Sequence, residues 1–517
     1  MLVGGSGLLV GYGLTASGLL AGLVATRAPW RRLLAAPLLA VPVAACAAVL
    51  WSVIVAQVPG VPQRLGPALT PVAGAALMLM IGTAAGLVGA RRPRELQVRR
   101  GAQVVGSAAP PPRLPAAAGR PMLSFAGQPV PAGDEVKHFK LIGTTGTGKS
   151  TAIRGLIAPA LARGDRAIIA DPDGAYAERF YTPQRGDLIL NPFDARSARW
   201  DLCAELREVQ DGDQLARALI PDHAGDDRAW RGYSRVFMAA TLRQLQRAGK
   251  LSFGTLHRLL ISAPVEELRE LLAETAAAPF LSNDNARFFA SVRAITTTHV
   301  AVLEHLERPA DGPPLSVREW VGGPGEQGRG ALFLTYRASQ IATLRNVVST
   351  WMRLAIFAAL ELPAREDRLW FVVDELDALG TIDGLKDALA RLRKCGGCCV
   401  LGFQSIAQVS GLYGAADAQT IVENCGNTLL LRCSASENGG TARFASKLIG
   451  EREILREQLT RSRNGLFEKP HRSTTTSLQH VTEAAVLPAE IEQLPDLSGY
   501  LKFASNPQWI RTTIPGD

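Results

Sequence analysis

The sequence predicts an α/β protein with a parallel sheet, an all-α insertion and membrane-spanning helices at its N-terminus. Three observations support this prediction. A glycine-rich loop at 143–151 lies between a short apolar strand and a helix. Apolar runs of strand length occur on both sides of a stretch, 201–328, in which apolar residues recur with helical spacing. The first 90 residues contain long apolar segments and no acidic side chain.

Residues 1–90 are predicted to form a membrane anchor. The apolar stretches 2–25, 33–58 and 65–90 are each long enough to cross about 30 Å of hydrocarbon as a helix. The first stretch is rich in glycine and could instead lie in the membrane interface, so either two or three spans are possible. Arginines follow the first and third stretches, which places everything after residue 90 in the cytoplasm.

The positive charge is concentrated near the N-terminus. The whole chain has a formal net charge of +9, and its first 120 residues contain eleven arginines against one glutamate. The rest of the chain is therefore close to neutral, and the overall charge gives no argument for nucleic-acid binding by the core. Residues 91–136 begin basic and continue rich in proline and alanine, which predicts a cytoplasmic linker.

The glycine-rich loop matches the phosphate-binding pattern G-x-x-x-x-G-K-[ST] in full. Its backbone amides would surround a β-phosphate, Lys149 would neutralise the β- and γ-phosphates, and the Ser150 hydroxyl would bind Mg²⁺. A glycine-rich turn that binds nothing is the alternative, and the strand and helix that flank the loop argue against it. The predicted nucleotide-binding residues are Gly143, Thr144, Thr145, Gly146, Thr147, Gly148, Lys149, Ser150 and Thr151.

Two later strands end in residues suited to nucleotide hydrolysis. The apolar strand 369–373 is followed by Asp374 and Glu375, which would hold the Mg²⁺ hydration shell and polarise the attacking water, respectively. The strand 398–403 is followed by Gln404, which could contact the γ-phosphate or that water. The sequence therefore predicts an NTPase.

Other polar residues leave alternatives open. Asp171 follows a buried strand and could orient metal-bound water or cap the next helix. The CxxC within residues 395–399 has neither a second cysteine pair nor a nearby histidine, which favours a buried strand over a zinc site. Arg287, Arg293 and His299 could face a polynucleotide or form a solvated helix face.

The remaining segments complete the predicted domain organisation. Residues 501–504 and 509–513 are expected to pair as edge strands, and the basic, Ser/Thr-rich stretch 461–472 is expected to form a mobile loop. The predicted domains are the nucleotide-binding domain at 137–200 and 329–517 and the all-α domain inserted at 201–328.

In their order along the chain, these motifs resemble those of the type IV secretion coupling proteins of the TraD/TrwB type, which are membrane-anchored RecA-like ATPases of conjugation. The resemblance implies a RecA-like P-loop NTPase sheet that binds ATP and Mg²⁺ at the subunit interfaces of a homohexamer. The segments that support it are the N-terminal apolar stretches, GTTGTGKST, DPDG, the helical insertion, LWFVVDELDALG and LRKCGGCCVLGFQSIAQV.

The resemblance also implies a role for individual residues. Ser150 and Asp374 bind the metal, Glu375 is the catalytic base, and Gln404 senses the γ-phosphate. Arg393 is the arginine finger supplied by a neighbouring subunit, with Lys394 and Arg432 as weaker candidates for that role.

The resemblance implies partners and a location as well. The expected partners are DNA as a single-stranded transfer intermediate, the relaxase or relaxosome, and the type IV secretion channel proteins. The expected location is the bacterial inner membrane, as a multi-pass protein with a cytoplasmic motor. Three alternatives stay open: a coupling ATPase that recruits protein effectors, an FtsK/HerA-like DNA translocase, and a non-catalytic membrane scaffold.

Overall fold

The chain divides into two compact units. The first comprises Met1–Val98 with Ile454–Gln479, and the second comprises Arg99–Glu453 with His480–Asp517. The computed structural model describes residues 5–25, 30–57, 61–89, 97–106, 121–221, 227–307, 312–323, 330–365, 367–436, 439–463 and 472–516.

The first unit contains three apolar helices, α1 (Gly5–Ala25), α2 (Trp30–Gln57) and α3 (Val61–Gly89). Helices α1 and α3 pack closely through glycines spaced four residues apart, Gly18 and Gly22 on α1 and Gly82 and Gly86 on α3. A Cβ atom added to Gly22 would lie 2.5 Å from the Thr83 carbonyl oxygen. Small residues at this spacing let two helix backbones approach directly, as in membrane helix pairs.

Among the described residues, one apolar helical segment is long enough to cross a membrane, Arg32–Ala56 within α2. Two shorter apolar helical segments, Leu9–Ala25 within α1 and Pro71–Leu87 within α3, lie before and after it. The apolar N-terminal region is therefore helical, and the choice between two and three spans stays a prediction.

Strands and helices alternate through the rest of the chain. The strands are β1 (Gln97–Gly101), β2 (Val104–Gly106), β3 (Ser124–Phe125), β4 (Gln128–Pro129), β5 (Phe139–Ile142), β6 (Arg166–Pro172), β7 (Leu188–Leu190), β8 (Arg199–Trp200), β9 (Pro314–Leu315), β10 (Ala331–Tyr336), β11 (Leu369–Val373), β12 (Gly397–Phe403), β13 (Asn427–Leu430), β14 (Glu451–Arg463), β15 (Arg472–Ala484), β16 (Ser498–Lys502) and β17 (Trp509–Thr513). The helices are α4 (Lys149–Ala162), α5 (Ala175–Phe180), α6 (Leu202–Glu205), α7 (Asp211–Leu219), α8 (Arg228–Arg247), α9 (Phe253–Ile261), α10 (Val265–Leu272), α11 (Ala286–Val300), α12 (Leu303–Leu306), α13 (Val317–Gly322), α14 (Ile341–Leu360), α15 (Leu385–Arg391), α16 (Ile406–Tyr413), α17 (Ala415–Asn424), α18 (Gly440–Ile449) and α19 (Pro488–Glu492).

A ten-stranded sheet organises the second unit. Its strand order is β2-β17-β16-β13-β5-β12-β11-β6-β10-β7. The seven strands from β13 to β7 run parallel, and β16 is antiparallel to both of its neighbours. Strand β12 lies between β5, which precedes the glycine-rich loop, and β11, which precedes Asp374. This order brings the carboxyl ends of the three strands that carry the predicted site to one edge of the sheet.

Both faces of the sheet are covered. Along β6, Ile168 and Ala170 pack into one apolar core, and Ala167 and Ile169 pack into the other. Because successive side chains of a strand point to opposite faces, a strand buried on both sides is apolar at every position. This explains the continuous apolar runs in the sequence and confirms the predicted α/β class.

Two parts of the predicted linker are ordered in the structure. Strand β2 pairs parallel with β17, and Leu123, Phe125 and Val130 beside the β3–β4 hairpin are buried. The basic start and the proline- and alanine-rich continuation of residues 91–136 predicted a linker, whereas these few larger apolar side chains pack into the core. The remainder, 91–96 and 107–120, lies outside the described residues.

Two further expectations need correction. The pairing of the last two strands is confirmed, since β16 and β17 are antiparallel, but β17 is not an edge strand because β2 covers it. The prediction of a mobile loop at 461–472 is wrong at both ends of the segment, which belong to β14 and β15. Its centre, 464–471, lies outside the described residues.

Candidate nucleotide-binding site

The glycine-rich loop joins β5 to α4, which begins at Lys149. Gly146 and Gly148 have φ angles of +76° and +109°, in the left-handed region that favours glycine. A Cβ atom at Gly143 would lie 2.8 Å from the Leu431 Cβ, so this position also excludes a side chain. Backbone conformation and close contacts therefore explain why the motif requires glycine at these positions.

Lys149 folds back over the loop. Its Nζ donates hydrogen bonds to the carbonyl oxygens of Gly143 and Thr144, at 2.6 and 3.1 Å. Burial lowers the pKa of the ammonium group, and the charges of Asp374 and Glu375 oppose this shift. Since two carbonyl groups compensate a largely desolvated cation only in part, Lys149 is well placed to bind an anionic ligand.

Ser150 and Asp374 meet opposite the lysine. The Ser150 hydroxyl donates a 2.6 Å hydrogen bond to Asp374 Oδ2, and Asp374 follows directly after β11. The same Oδ2 atom accepts a 2.9 Å hydrogen bond from the hydroxyl of Tyr176. Burial raises the pKa of Tyr176 well above its ordinary value, and the charge of Asp374 adds to this shift. The phenol therefore keeps its proton and acts as a donor.

A hydroxyl and a carboxylate are hard oxygen ligands of the kind that Mg²⁺ takes. No group of three or more His, Cys, Asp or Glu in the described part of the chain is arranged to hold a metal ion. Mg²⁺ is usually held by one or two protein oxygens together with phosphate and water oxygens. Ser150 and Asp374 fit Mg²⁺ bound together with a nucleotide.

Gln404 connects the loop to the acidic side of the site. Its Nε2 donates a 2.5 Å hydrogen bond to Glu375 Oε1, and its Oε1 accepts a 3.1 Å hydrogen bond from Thr145 Oγ1. Burial raises the pKa of Glu375, and the charge of Asp377 adds to it. A carboxylate with a raised pKa is a stronger proton acceptor. The structure thus brings the predicted base and the predicted sensor into direct contact.

Asp171 resolves one alternative that the sequence left open. Its carboxylate accepts hydrogen bonds from the backbone amides of Tyr176 and Ala177, at 2.9 and 2.7 Å. The side chain is fully buried, and this burial raises its pKa to about 6. Asp171 therefore caps the start of α5 and does not open toward the site.

Lys149, Ser150, Asp374, Glu375 and Gln404 line one cleft of about 650 Å³. The loop residues Gly143, Thr144 and Thr147 are not part of its lining. The lining includes Thr145, Gly146, Gly148, Lys149, Ser150, Thr151, Arg154, Asp173, Tyr176, Asp374, Glu375, Gln404, Asp496 and Leu497.

Five of these lining residues were not predicted as site residues from the sequence: Arg154, Asp173, Tyr176, Asp496 and Leu497. The place of Tyr176 shortly after the Asp-Pro-Asp-Gly turn at 171–174 was an available signal. Leu497 has a φ of +59°, and its N–H donates a 3.0 Å hydrogen bond to the Thr147 carbonyl. No sequence motif marks this return of the chain to the loop.

The predicted arginine finger is remote from this cleft within one chain. Arg393 lies in a 3₁₀ helix, Leu392–Cys395, before the amino end of β12, whereas Gln404 follows the carboxyl end. Seven strand residues separate these ends by roughly 20 Å. Arg393 and its neighbour Lys394 are exposed. The structure therefore does not place Arg393 with the other site residues of its own chain.

Arg432, the other weaker candidate, has partners within its own chain. It forms a 2.7 Å ion pair with Asp496 and donates a 3.3 Å hydrogen bond to the Leu494 carbonyl. Arg432 thus supports the segment that carries Leu497 to the loop.

The remaining polar candidates are mostly structural. Arg293 donates a hydrogen bond to the Ala263 carbonyl and stacks on Phe289, and burial lowers the pKa of His299 to about 4. Arg287 is exposed. Cys398 and Cys399 are fully buried in β12, which confirms the interpretation of the CxxC as part of a strand.

Comparisons with known proteins agree with this geometry. Residues 122–515 match the family described as the type IV secretion-system coupling protein DNA-binding domain. The coupling protein TraD of Escherichia coli (strain K12) is 32% identical over 405 residues, which are 75% of this chain and 56% of TraD. The chain thus spans just over half the length of that relative.

Solved structures of the plasmid coupling protein TrwB are similar as well. The complex with the non-hydrolysable GTP analogue GDPNP is 30% identical, with a TM-score of 0.71 over 81% of this chain and 95% of that chain. The complex with ADP and Mg²⁺ is also 30% identical, with a TM-score of 0.71 over 81% and 94%. The complex with the non-hydrolysable ATP analogue ADPNP has 30% identity and a TM-score of 0.70 over the same shares.

Proposed function

This chain belongs to the type IV secretion-system coupling protein family, and on that premise we propose that it is a membrane-anchored, Mg²⁺-dependent ATPase. In this proposal the protein couples a relaxase–DNA complex to a type IV secretion channel and pumps the DNA by ATP hydrolysis during conjugation. The observation that carries the proposal is the hydrogen-bonded connection from Thr145 through Gln404 to Glu375, beside Lys149. Hydrolysis uses such a connection, whereas nucleotide binding alone does not require it.

The proposed binding step uses the loop and the start of α4. The loop amides and Lys149 would hold the phosphates of ATP, while Ser150 and Asp374 would hold Mg²⁺. The magnesium ion, when bound, neutralises negative charge on the phosphates. TrwB has been solved with ADP and Mg²⁺ and with an ATP analogue, which supports the same ligands here.

The proposed hydrolytic step uses Glu375 and Gln404. Glu375 would accept a proton from the attacking water, and its raised pKa improves the match to water at neutral pH. Gln404 would hold the Glu375 carboxylate in place. Through its hydrogen bond with Thr145, it would also couple the position of that carboxylate to the position of the loop. These are the roles that we assign to the two residues.

We assign the arginine finger to Arg393 of a neighbouring subunit. Within its own chain, Arg393 lies at the far end of β12 from Gln404 and is exposed. An exposed cation there can complete a site only in the adjacent chain of a ring. In this proposal the chains form a homohexamer with ATP at the subunit interfaces.

The proposed location is the bacterial inner membrane, with several spans and a cytoplasmic motor. The apolar N-terminal helices and the arginines after residue 90 support it. The family description names a DNA-binding domain, which supports DNA as the cargo. We propose that this DNA is a single-stranded transfer intermediate. The relaxosome and the channel proteins complete the proposed set of partners.

ATP hydrolysis by the detergent-solubilised full chain tests this proposal. We expect Mg²⁺-dependent turnover that DNA stimulates at least several-fold, with single-stranded and double-stranded DNA compared at equal nucleotide concentration. Lys149→Ala should abolish nucleotide binding, and Glu375→Gln should abolish turnover while nucleotide still binds. Turnover that DNA does not change would contradict DNA pumping and favour a protein cargo. Turnover that survives either substitution would contradict the site.

A further inference from the structure

The hydroxyl of Tyr176 has no role in the mechanism proposed above, although it touches the metal-binding carboxylate. It donates a 2.9 Å hydrogen bond to Asp374 Oδ2, the atom that also accepts the 2.6 Å hydrogen bond from Ser150. Asp374 is 6% exposed, and Tyr176 is 1% exposed. Two side-chain donors thus meet on one oxygen of a carboxylate that is largely shielded from solvent.

The ring of Tyr176 is fixed from both ends. Its backbone N–H donates to Asp171 Oδ1 at 2.9 Å, which anchors it to the end of β6. Its ring lies in the apolar core beneath α4, in a tilted contact with Phe180 at 6.5 Å between ring centroids. A rigid ring anchored at its backbone places the hydroxyl with little freedom. The hydroxyl therefore constrains the rotation of the Asp374 carboxylate.

We propose that Tyr176 is a positioning residue for Asp374, which it holds in the orientation that binds Mg²⁺. This inference rests on the proposed function, since it assigns Asp374 to the metal. Carboxylates that bind metal ions are commonly oriented by a second hydrogen-bond donor, and loss of such a donor typically weakens metal binding 10- to 100-fold. Ser150 cannot serve both purposes, because its hydroxyl is the group expected to move onto the metal. Tyr176 keeps Asp374 in place when Ser150 leaves it.

Binding of Mn²⁺ in place of Mg²⁺ tests the proposal without hydrolysis. The full chain in detergent is saturated with ADP and titrated with Mn²⁺, and the free ion is followed by electron paramagnetic resonance. For Tyr176→Phe, which keeps the ring and removes only the hydroxyl, we expect about tenfold weaker Mn²⁺ binding. Its affinity for ADP without metal should match that of the wild-type chain.

Tyr181→Phe is the matched control. Tyr181 follows α5 directly, is half-buried against Phe333 with 6.2 Å between ring centroids, and is not part of the cleft lining. This variant should bind Mn²⁺ as the wild-type chain does. If Tyr176→Phe lowers the melting temperature but leaves Mn²⁺ affinity unchanged, the hydroxyl only supports the fold and the proposal is wrong.

The outcomes separate this proposal from the proposed function. A wild-type chain that binds Mn²⁺ and ADP but hydrolyses no ATP would overturn the ATPase function, and the comparison of the two tyrosine variants would still decide the role of Tyr176. A wild-type chain that binds no Mn²⁺ with ADP would overturn both.

Discussion

The buried side chain of His138 connects two elements of the fold, β12 and α15. Its Nδ1 accepts a 3.0 Å hydrogen bond from the backbone N–H of Cys399 on β12, so this atom carries no proton. Its Nε2 therefore carries the proton and donates a 2.9 Å hydrogen bond to the Leu389 carbonyl of α15. The side chain is 1% exposed, and burial lowers its pKa to about 4. The fold thus requires neutral histidine at this position.

This requirement predicts a pH-dependent stability. The unfolded chain takes up a proton at His138 near pH 6.5 and the folded chain only near pH 4, so stability is lost as the pH falls through this window. Between pH 7 and pH 5 the loss from His138 is about 2 kcal/mol. Chemical denaturation of the solubilised chain at both pH values measures it.

His138→Asn is the matched variant, because asparagine tolerates the φ of +57° found at this position. It should be less stable than the wild type at pH 7 by about 1 kcal/mol, owing to the lost bond to Leu389. Its stability should then fall less between pH 7 and pH 5. Equal losses in both proteins would show that His138 does not titrate in this window.

The residues of the site differ in how visible they are in sequence. Lys149, Ser150, Asp374 and Glu375 belong to short motifs at the ends of strands, where local pattern and chemistry coincide. Tyr176 lies 198 residues from the carboxylate that it contacts. Only the strand order of the sheet brings α5 beside β11, and no local pattern encodes that order.

At the scale of secondary structure, the close packing of α1 and α3 depends on glycine. A Cβ atom at Gly22 would lie 2.5 Å from one α3 carbonyl oxygen and 2.9 Å from an α3 amide nitrogen. Backbone atoms cannot move aside as side-chain ends can. A larger residue must therefore push the two helices apart.

Gly22→Leu should accordingly destabilise the helix pair by about 1–3 kcal/mol, the usual cost of overpacking. Gly13→Leu on the same helix is the matched control, since a Cβ atom there meets no atom within 4 Å. Thermal unfolding of both variants in the same detergent measures the difference. Equal midpoints would contradict direct backbone contact between α1 and α3.

The secondary-structure elements also show which features of the fold local sequence patterns cannot predict. Strands β11 and β12 of the parallel core were predicted because a fully apolar run is a local property. Strand β2 was not predicted, because three residues, Val104–Gly106, gain their partner only when β17 arrives from the other end of the chain. Short strands stabilised by distant pairing carry too little local signal.

At the scale of the whole molecule, the decisive question is whether one subunit completes the site of the next. Each chain presents an exposed Arg393 at one end of β12 and its nucleotide cleft at the opposite end. If Arg393 acts on a neighbouring cleft, a chain that lacks the arginine keeps an intact cleft. A chain with a defective cleft still supplies its arginine.

Two inactive variants should therefore restore activity when they assemble together. An Arg393→Ala chain retains its cleft, and a Lys149→Ala chain retains its arginine. When the two chains mix at random in a ring, about one quarter of the interfaces combine an intact cleft with an intact Arg393. The ATPase rate of the co-expressed, solubilised chains should rise well above that of either variant alone. The matched control mixes Lys149→Ala with Glu375→Gln, because both changes damage the cleft of their own chain and no interface can recover. If the Arg393→Ala mixture is no more active than this control, Arg393 does not act between subunits.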